Sequence, residues 1–263
     1  MKNKINLSDQ VIMISGVSGQ LGQAITNEAL NNNAKVIGLD QSQEEMEKVA
    51  QLYNWNKDNI LLQKTDIRKK KEIENALTNG LNHFGKVTSQ INNSGVSVFE
   101  NWAERSEEDF DLVTDVNLKG TFFCMQAFMK HCIKSNTVGS IVNIASHYGL
   151  ISPDPRIYTD CARRNSEVYG ATKAGVIQMT KYFSVNALTD GANIRVNAVA
   201  PGGIKNPQNP QGKDFQKRYG DRCPMGRLAE TKEIVGPVLF LLSEDASYIN
   251  GHTLVVDGGM TAW

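Results

Sequence analysis

The chain has 263 residues, and 28 basic residues balance 28 acidic ones for a formal net charge of zero. That length holds one large domain or two small ones, and the neutral balance excludes the basic footprint of a nucleic-acid binder. No run approaches the roughly 20 apolar residues of a membrane span. The start, Met1 to Gln10, lacks the apolar stretch and small-residue cleavage site of a signal peptide. Cys124, Cys132, Cys161 and Cys223 show no C-x-x-C spacing. In a leaderless chain they read as free thiols of a reducing cytosol, so a cytoplasmic protein without a metal site is expected.

Val11-Ile12-Met13-Ile14 predicts a first strand buried on both faces. The turn after it, Ser15-Gly16-Val17-Ser18-Gly19-Gln20-Leu21-Gly22, leads into a helix over about 20–33. Glycines let a backbone turn tightly beside a pyrophosphate, and a helix N-terminus offers N–H groups and a positive dipole to phosphates. Gly16, Ser18, Gln20, Leu21 and Gly22 are therefore candidate cofactor contacts, although a turn kept for steric reasons alone leaves the same pattern. Lys35-Val36-Ile37-Gly38-Leu39 is the second strand, and Asp40 ends it. A carboxylate there can accept hydrogen bonds from an adenosine ribose diol and repels a 2′-phosphate, which favours NAD over NADP. No arginine directly follows Asp40. An ordinary acidic turn residue is the alternative.

Helices are predicted at about 42–54, 69–84, 106–135, 166–188 and 231–243. Strands are predicted at Asn59–Leu62, Val87–Ile91, Ser140–Ile144, Ile194–Val199 and Thr253–Val256. The β-α-β rhythm argues for a seven-stranded parallel sheet with helices on both faces, a doubly wound α/β (Rossmann) fold. With no repeat, low-complexity tract or linker, residues 1–263 read as a single dinucleotide-binding and catalytic domain. The stretch before Ile91 carries Thr88, Ser89 and Gln90, which is polar for a buried parallel strand. The least regular stretches, 149–165 and 201–222, follow predicted strand ends, where ligands bind in open α/β sheets.

Ser146 closes the Ser140–Ile144 strand, and Tyr169 and Lys173 lie four apart on the helix that follows. Residues four apart share a helix face. A lysine there can favour phenolate and lower a tyrosine pKa from its usual value near 10. A phenol so tuned can pass a proton to or from a substrate oxygen. Ser146 can steady that oxygen by a hydrogen bond. A Tyr-x-x-x-Lys pair alone is common on solvated helix faces, and a serine at a strand end is often only a cap. His147 follows Ser146, but a lone histidine is more often structural.

With these residues together, the chain resembles the short-chain dehydrogenase/reductase family from Asp9 to the C-terminus. The glycine turn is similar to the family's T-G-x-x-x-G-x-G, with Ser15 at the threonine and Gln20 at the second glycine. Spacing through Gly16, Gly19 and Gly22 also resembles the family's extended branch. Asn92-Asn93-Ser94-Gly95 resembles N-N-A-G beside the cofactor, which implies roles for Asn93 and Gly95. Asp66 and Ile67 fall where the family contacts adenine. Pro201-Gly202-Gly203-Ile204 resembles the loop that grips the nicotinamide end; Asn206 stands where most relatives have threonine. The resemblance gives Asn117, Ser146, Tyr169 and Lys173 the catalytic roles. Asn117 would join the lysine to a proton-relay water through a helix irregularity, and Tyr169 and Lys173 would also touch the nicotinamide ribose. It further implies a homotetramer or homodimer pairing the helices at 106–135 and 166–188, with Phe122, Phe123, Met125, Phe128 and Met129 as apolar surface, although core burial explains these too.

Twenty-two residues separate Ser146 from Tyr169, more than in most relatives, and include Arg156, Arg163 and Arg164. Guanidinium suits carboxylate and phosphate, so an anionic substrate group is one reading and a solvated loop the other. A similarly lengthened segment occurs in a branch associated with bacterial flagellin and surface-sugar modification. The resulting expectation is an NAD(H)-dependent enzyme that interconverts a secondary alcohol and a ketone on an anionic sugar-derived or polyol small molecule. The alternatives are a 3-oxoacyl-thioester (acyl-carrier-protein) reductase, a dinucleotide-binding scaffold or sensor without turnover, and sugar-nucleotide epimerisation or dehydration. The last usually needs a longer C-terminal domain than the roughly ninety residues after Tyr169 provide.

Overall fold

Five consecutive buried residues, Val11–Ser15, form β1, the strand on which the sheet is built. Successive side chains of a strand point to opposite faces. Ile12 and Ile14 enter one apolar core, Val11 and Met13 the other. In the computed structural model, which describes residues 5–159 and 166–263, β1 pairs with β2 (Lys35–Asp40) on one side and β4 (Ser89–Asn92) on the other. Adding β3 (Ile60–Lys64), β5 (Gly139–Ile144), β6 (Ile194–Pro201) and β7 (Thr253–Val256) gives a seven-stranded sheet ordered β3-β2-β1-β4-β5-β6-β7. Every pairing is parallel. The doubly wound α/β fold expected from the sequence is the fold observed.

Helices cover both faces. α1 (Gln20–Asn31), α2 (Gln43–Leu52) and α8 (Thr231–Leu242) bury Ile25, Met46 and Leu239 against one side. α3 (Lys70–Phe84), α5 (Thr121–Ser135) and α6 (Glu167–Thr189) bury Ile73, Phe128 and Ala187 against the other. Each large aliphatic or aromatic side chain so buried contributes about 1.5–3 kcal/mol. Strand order reverses between β1 and β4, and a crevice opens at the carboxyl ends of these strands, as in other sheets of this kind.

Two elements differ from the predicted boundaries, the first at the helix irregularity that the resemblance implied for Asn117. The single helix predicted over 106–135 is interrupted: α4 (Glu107–Thr114) passes into a π-helical turn at Asp115–Gly120 before α5 begins. Within that turn the Asn117 amide is engaged by the Val96 backbone at both ends, and Thr121 Oγ1 donates back to Asn117 O at 2.8 Å. These bonds hold the turn wide. Within the stretch read as irregular, α7 (Lys213–Arg222) forms instead. Its composition is strongly polar, and only Phe215 and Tyr219, four apart, are buried, too thin a stripe to show as a period.

The polar β4 has a physical account. Thr88 and Ser89 both donate to Gln10 Oε1 at the strand's start. At its end, Asn92 lies directly opposite Asn143 of β5. Asn92 Nδ2 donates to Asn143 Oδ1 at 2.7 Å, and Asn143 Nδ2 donates to Thr180 Oγ1 of α6 at 2.9 Å. Asn143 is fully buried, so this chain of bonds ties β4, β5 and the α6 helix across the sheet interior. Removing one partner from such a site leaves the others desolvated without compensation, at about 1–3 kcal/mol each. Asn143→Leu is therefore expected to cost roughly 2–4 kcal/mol in urea unfolding; a loss below about 0.5 kcal/mol would show the bonds to be dispensable.

Candidate active site

The glycine turn is shaped by close approach. Gly16 sits at φ +71°, where side chains are rarely tolerated, and a Cβ there would lie 3.0 Å from Ser94 Cα. A Cβ on Gly22 would lie 1.9 Å from Gly16 O, so α1 packs directly on the turn. Ser15 Oγ accepts from the backbone N–H groups of Asn93 and Ser94, each at 3.1 Å, and Asn93 Nδ2 donates to the carbonyls of Ser15 and Gly16. The Asn92–Gly95 stretch is thereby stitched to the turn. No side chain caps the start of α1, and its first turn holds no acidic residue. A phosphate at that helix end meets donors and a favourable dipole.

Around the turn lies a cleft of about 470 Å³ whose lining includes Gly16, Ser18, Leu21, Asp40, Ile67 and Gly95. Gln20, Asp66 and Asn93 also line it. Ser18 donates to Asp40 Oδ2 from its backbone N–H at 3.2 Å and from its hydroxyl, which fixes the carboxylate at the end of β2. Asp66 is gripped by the Arg68 guanidinium through two contacts to Oδ2 and one to Oδ1. That hydrogen bond holds the Asp66 carboxyl below its ordinary range and also occupies Arg68, a cation of the same cleft. The glycine cradle, uncapped helix and acceptor at Asp40 fit a dinucleotide.

On the far wall, Pro201 ends β6, and Gly202 N donates to Val256 O. Gly203 N donates to Tyr219 Oη at 2.6 Å, and Ile204 bridges to Ala229. Gln20 ties this wall to the turn. Its Nε2 donates to Lys205 O and, at 2.9 Å, to Thr231 Oγ1 of α8. A glycine at that position could not make the link. Asn206 spends its side-chain carbonyl on Gln208 N and Asn209 N, within its own loop.

Next to Gly95 of the cleft, the four predicted catalytic residues lie on three elements. Ser166 Oγ caps α6 by accepting from Tyr169 N at 3.0 Å, which places Tyr169 in the first turn and Lys173 in the second. Ser146 acts on the Tyr169 phenol and favours its ionised form. Ser146, 7% exposed, follows β5 in an extended conformation and its Oγ also accepts from Tyr148 N. Lys173 is 3% exposed, and Nζ donates to Ile144 O at 2.8 Å. A Cβ on Gly95 would lie 3.3 Å from Lys173 Nζ and 3.5 Å from Asn117 Oδ1, so the lysine and the asparagine flank one glycine. Asn117 Oδ1 accepts from Val96 N at 2.8 Å, while Nδ2 donates to Val96 O and Thr172 Oγ1.

The electrostatics correct one expectation. Burial holds the Tyr169 phenol above its ordinary pKa, and Ser146 pulls the other way. The predicted lowering by Lys173 does not appear. Its ammonium lies 5.5 Å from the Tyr169 ring centroid and points to Ile144 O, and burial pushes it down to about 8.

The loop after Ser146 behaves differently from its arginine count. The Arg156 guanidinium is exposed and forked onto Asp154 at 2.7–3.1 Å. Arg163 and Arg164 lie outside the described residues, as does Cys161. Cys124, Cys132 and Cys223 are free buried thiols. The loop is anchored instead by an apolar cluster that joins Ile157 and Tyr158 to Phe215, Tyr219 and Met260. Tyr158 Oη lies 2.6 Å from Tyr148 Oη. The sequence reading missed this phenol pair and the Gln20 link. The signals were Ile157-Tyr158, an apolar pair in a polar loop, and a long amide where a glycine was expected. Among the described residues no cluster of metal-ligating side chains occurs, and no helix is long and apolar enough to cross a membrane.

The family model described as enoyl-(acyl carrier protein) reductase matches residues 16–261. A 3-oxoacyl-acyl-carrier-protein reductase of Thermotoga maritima is 33% identical over 260 residues, covering 97% of this chain and 99% of the relative. A 2-dehydro-3-deoxy-D-gluconate 5-dehydrogenase of Escherichia coli is 31% identical over 262 residues, covering 98% and 97%. The crystal structure of a short-chain dehydrogenase from Leptospira borgpetersenii with bound NAD+ superposes with a TM-score of 0.86 at 34% identity, covering 97% of this chain and 94% of that one. Agreement in sequence and backbone over nearly the full length shows the family: this protein is a short-chain dehydrogenase/reductase, an oxidoreductase of alcohol and carbonyl groups.

Proposed function

We propose that the enzyme interconverts a secondary alcohol and a ketone with NAD(H), on a sugar-derived or polyol substrate that carries an anionic group. The observation that carries the chemistry is the Ser146 hydroxyl acting on the Tyr169 phenol, with buried Lys173 one turn along the same helix. The Ser146 hydroxyl holds the substrate oxygen, and the Tyr169 phenol gives that oxygen a proton in reduction or takes it in oxidation. Lys173, fixed by Ile144 O beside Gly95, lies within reach of a ribose bound in the cleft. Asn117 would position the lysine and a relay water from the opposite side of Gly95. NAD, when bound, supplies the hydride acceptor. Gly16, Ser18, Gln20, Leu21, Gly22, Asp40, Asp66, Ile67, Asn93, Gly95, Pro201, Gly202 and Ile204 are assigned to hold it. Asp40 supports NAD over NADP, and Arg68, being gripped by Asp66, offers a 2′-phosphate little.

The substrate class rests on lesser support. One relative is named for a sugar acid. Arg163 and Arg164 follow in the sequence after Arg156, whose own charge Asp154 occupies, and that lengthened loop resembles the surface-sugar branch. Relatives that reduce 3-oxoacyl-acyl-carrier protein favour a second reading, against which Asp40 and the zero net charge weigh.

Assembly into a homodimer or homotetramer has a surface to use. Phe110 on α4 and Tyr182, Val185 and Leu188 on α6 are exposed. Met125, Phe128 and Met129, expected as apolar surface, are instead buried in the sheet core.

Tyr169→Phe is expected to lower kcat by roughly 10²–10⁴-fold while NADH affinity, read by fluorescence titration, stays at the wild-type value. Because the phenol is held above its ordinary pKa, oxidation by the wild type should keep rising as pH climbs through the alkaline range, while reduction holds level until the pH nears that raised value. Full activity in the phenylalanine variant would defeat the mechanism. Asp40→Ala should shift the ratio of kcat/KM for NAD over NADP towards NADP by about tenfold or more, the equivalent of about 1.4 kcal/mol; an unaltered ratio would remove the ribose assignment. Sedimentation velocity should give a dimer or tetramer, and Val185→Glu should dissociate it; a monomeric wild type would exclude the assembly.

A further inference from the structure

Outside the cofactor cleft, the catalytic loop builds a second hollow of about 440 Å³ between the His147–Ile157 segment, the end of α7 and Met260. That volume lies in the range of roughly 300–1,000 Å³ typical of small-molecule sites. His147 lines it. The ring is 2% exposed, and neither Nδ1 nor Nε2 has a hydrogen-bond partner among the described residues. Buried polar groups are nearly always bonded, so two orphaned nitrogens on one ring need a cause. The neighbours do not supply one. Tyr148 meets the imidazole edge to face at 4.1 Å. The Asp257 carboxylate is spent on its own turn, accepting from Gly259 N and Thr261 N at 2.9 and 2.8 Å. Burial drives the imidazole pKa down to about 4, so near neutral pH one ring nitrogen donates and the other accepts. A hydroxyl group does both and matches that pair.

The same hollow carries net positive charge. Its charged lining is Asp154, Arg156 and Arg222. Asp154 is forked by Arg156 and feels the charge of Arg222 as well, so one carboxylate faces two guanidinium groups and the lining keeps one positive charge in excess. Arg222 is held over the Trp263 ring at 5.4 Å, and Nη2 donates to Trp263 O at 3.2 Å. We infer that this hollow is a binding site for an anionic polyol, with His147 hydrogen-bonding its hydroxyls and Arg222 facing its carboxylate or phosphate. Ser146 is extended, so consecutive side chains diverge: Ser146 turns to Tyr169 while His147 turns to the hollow. The occupant is either the non-reacting end of the substrate or a separate effector of the same chemistry. Only the first source rests on the catalytic reading proposed above.

Binding can be measured without turnover. The chain has four histidines, His83, His131, His147 and His252, so ring resonances of the ¹⁵N-histidine-labelled full chain can be assigned by substitution. Gluconate and glucose 6-phosphate serve as charged probes, glucose as the neutral one and inorganic phosphate as the bare anion. The charged polyols are expected to move the His147 ring signals saturably and to bind about tenfold or more tightly than glucose or inorganic phosphate. Arg222→Met should weaken them by about tenfold and leave glucose unaffected. His147→Phe, titrated by calorimetry because it lacks the reporting ring, should weaken all three sugars, with unchanged His131 and His252 signals reporting an intact fold. Competition between a charged probe and the turned-over substrate assigns the hollow to the substrate's distal end, and saturation without competition assigns it to an effector. Static His147 signals with both charged polyols, or Arg222→Met binding them as the wild type does, would overturn the inference. Loss of turnover with retained probe binding would instead count against the catalytic reading alone.

Discussion

Lys173 keeps an ammonium out of water between Ile144 O and Gly95, and the surrounding elements are arranged to make that tolerable. A buried cation without a partner is costly, and here the answer is a single strand-end carbonyl and a pKa lowered to about 8. The end of β5 must therefore stay where that carbonyl can be reached. Its registered neighbours, β4 and β6, hold it there, and the Asn92–Asn143–Thr180 bonds lock the same strand to α6 from within. Ser146 follows that strand and Tyr169 starts that helix. The lysine, serine and tyrosine are thus set by one rigid junction rather than by a loop, as a catalytic constellation requires.

The cofactor end is organised by a different device. Ser15, Asn93 and the glycines bind the turn to the end of β4, while Gln20 reaches across to Lys205 and Thr231. One side chain thus couples the wall that would hold the phosphates to the wall that would hold the nicotinamide. In the resembling motif that position is glycine, which has no side chain to make these two bonds. The departure exchanges backbone freedom at the turn for a fixed width of the cleft.

The sequence carried the sheet well because strands buried on both faces read as continuous apolar runs, as at Ile12, Met13, Val142 and Val196, all fully or almost fully buried. It also carried the positions of Ser146, Tyr169 and Lys173, since those depend on a strand end and a four-residue helical spacing. What it could not carry were contacts between residues far apart in the chain. The polarity of Thr88, Ser89 and Gln90 looked unaccountable until Gln10 was seen opposite two of them. The direction of the Tyr169 shift failed for a related reason: spacing places the lysine nearby, but only the fold shows its charge turned to Ile144 O and the phenol deeply buried. Arg156 was read as a cation for a ligand, yet Asp154, two residues before it, had already claimed its fork.

The widened turn at Asp115–Gly120 has a consequence for how the chain can vary. It offsets α5 from α4 by roughly one residue's rotation, about 100°. The faces of the two helices are therefore phased separately: Val113 turns inward from α4, and Phe128 and Met129 turn inward from α5. Closing the turn to a uniform screw at constant length would swing the second face towards solvent, whereas losing one residue would keep the faces in phase but abolish the wide turn that presents Asn117. The extra residue is thus kept for where it puts one amide, beside Gly95, rather than for how α5 packs.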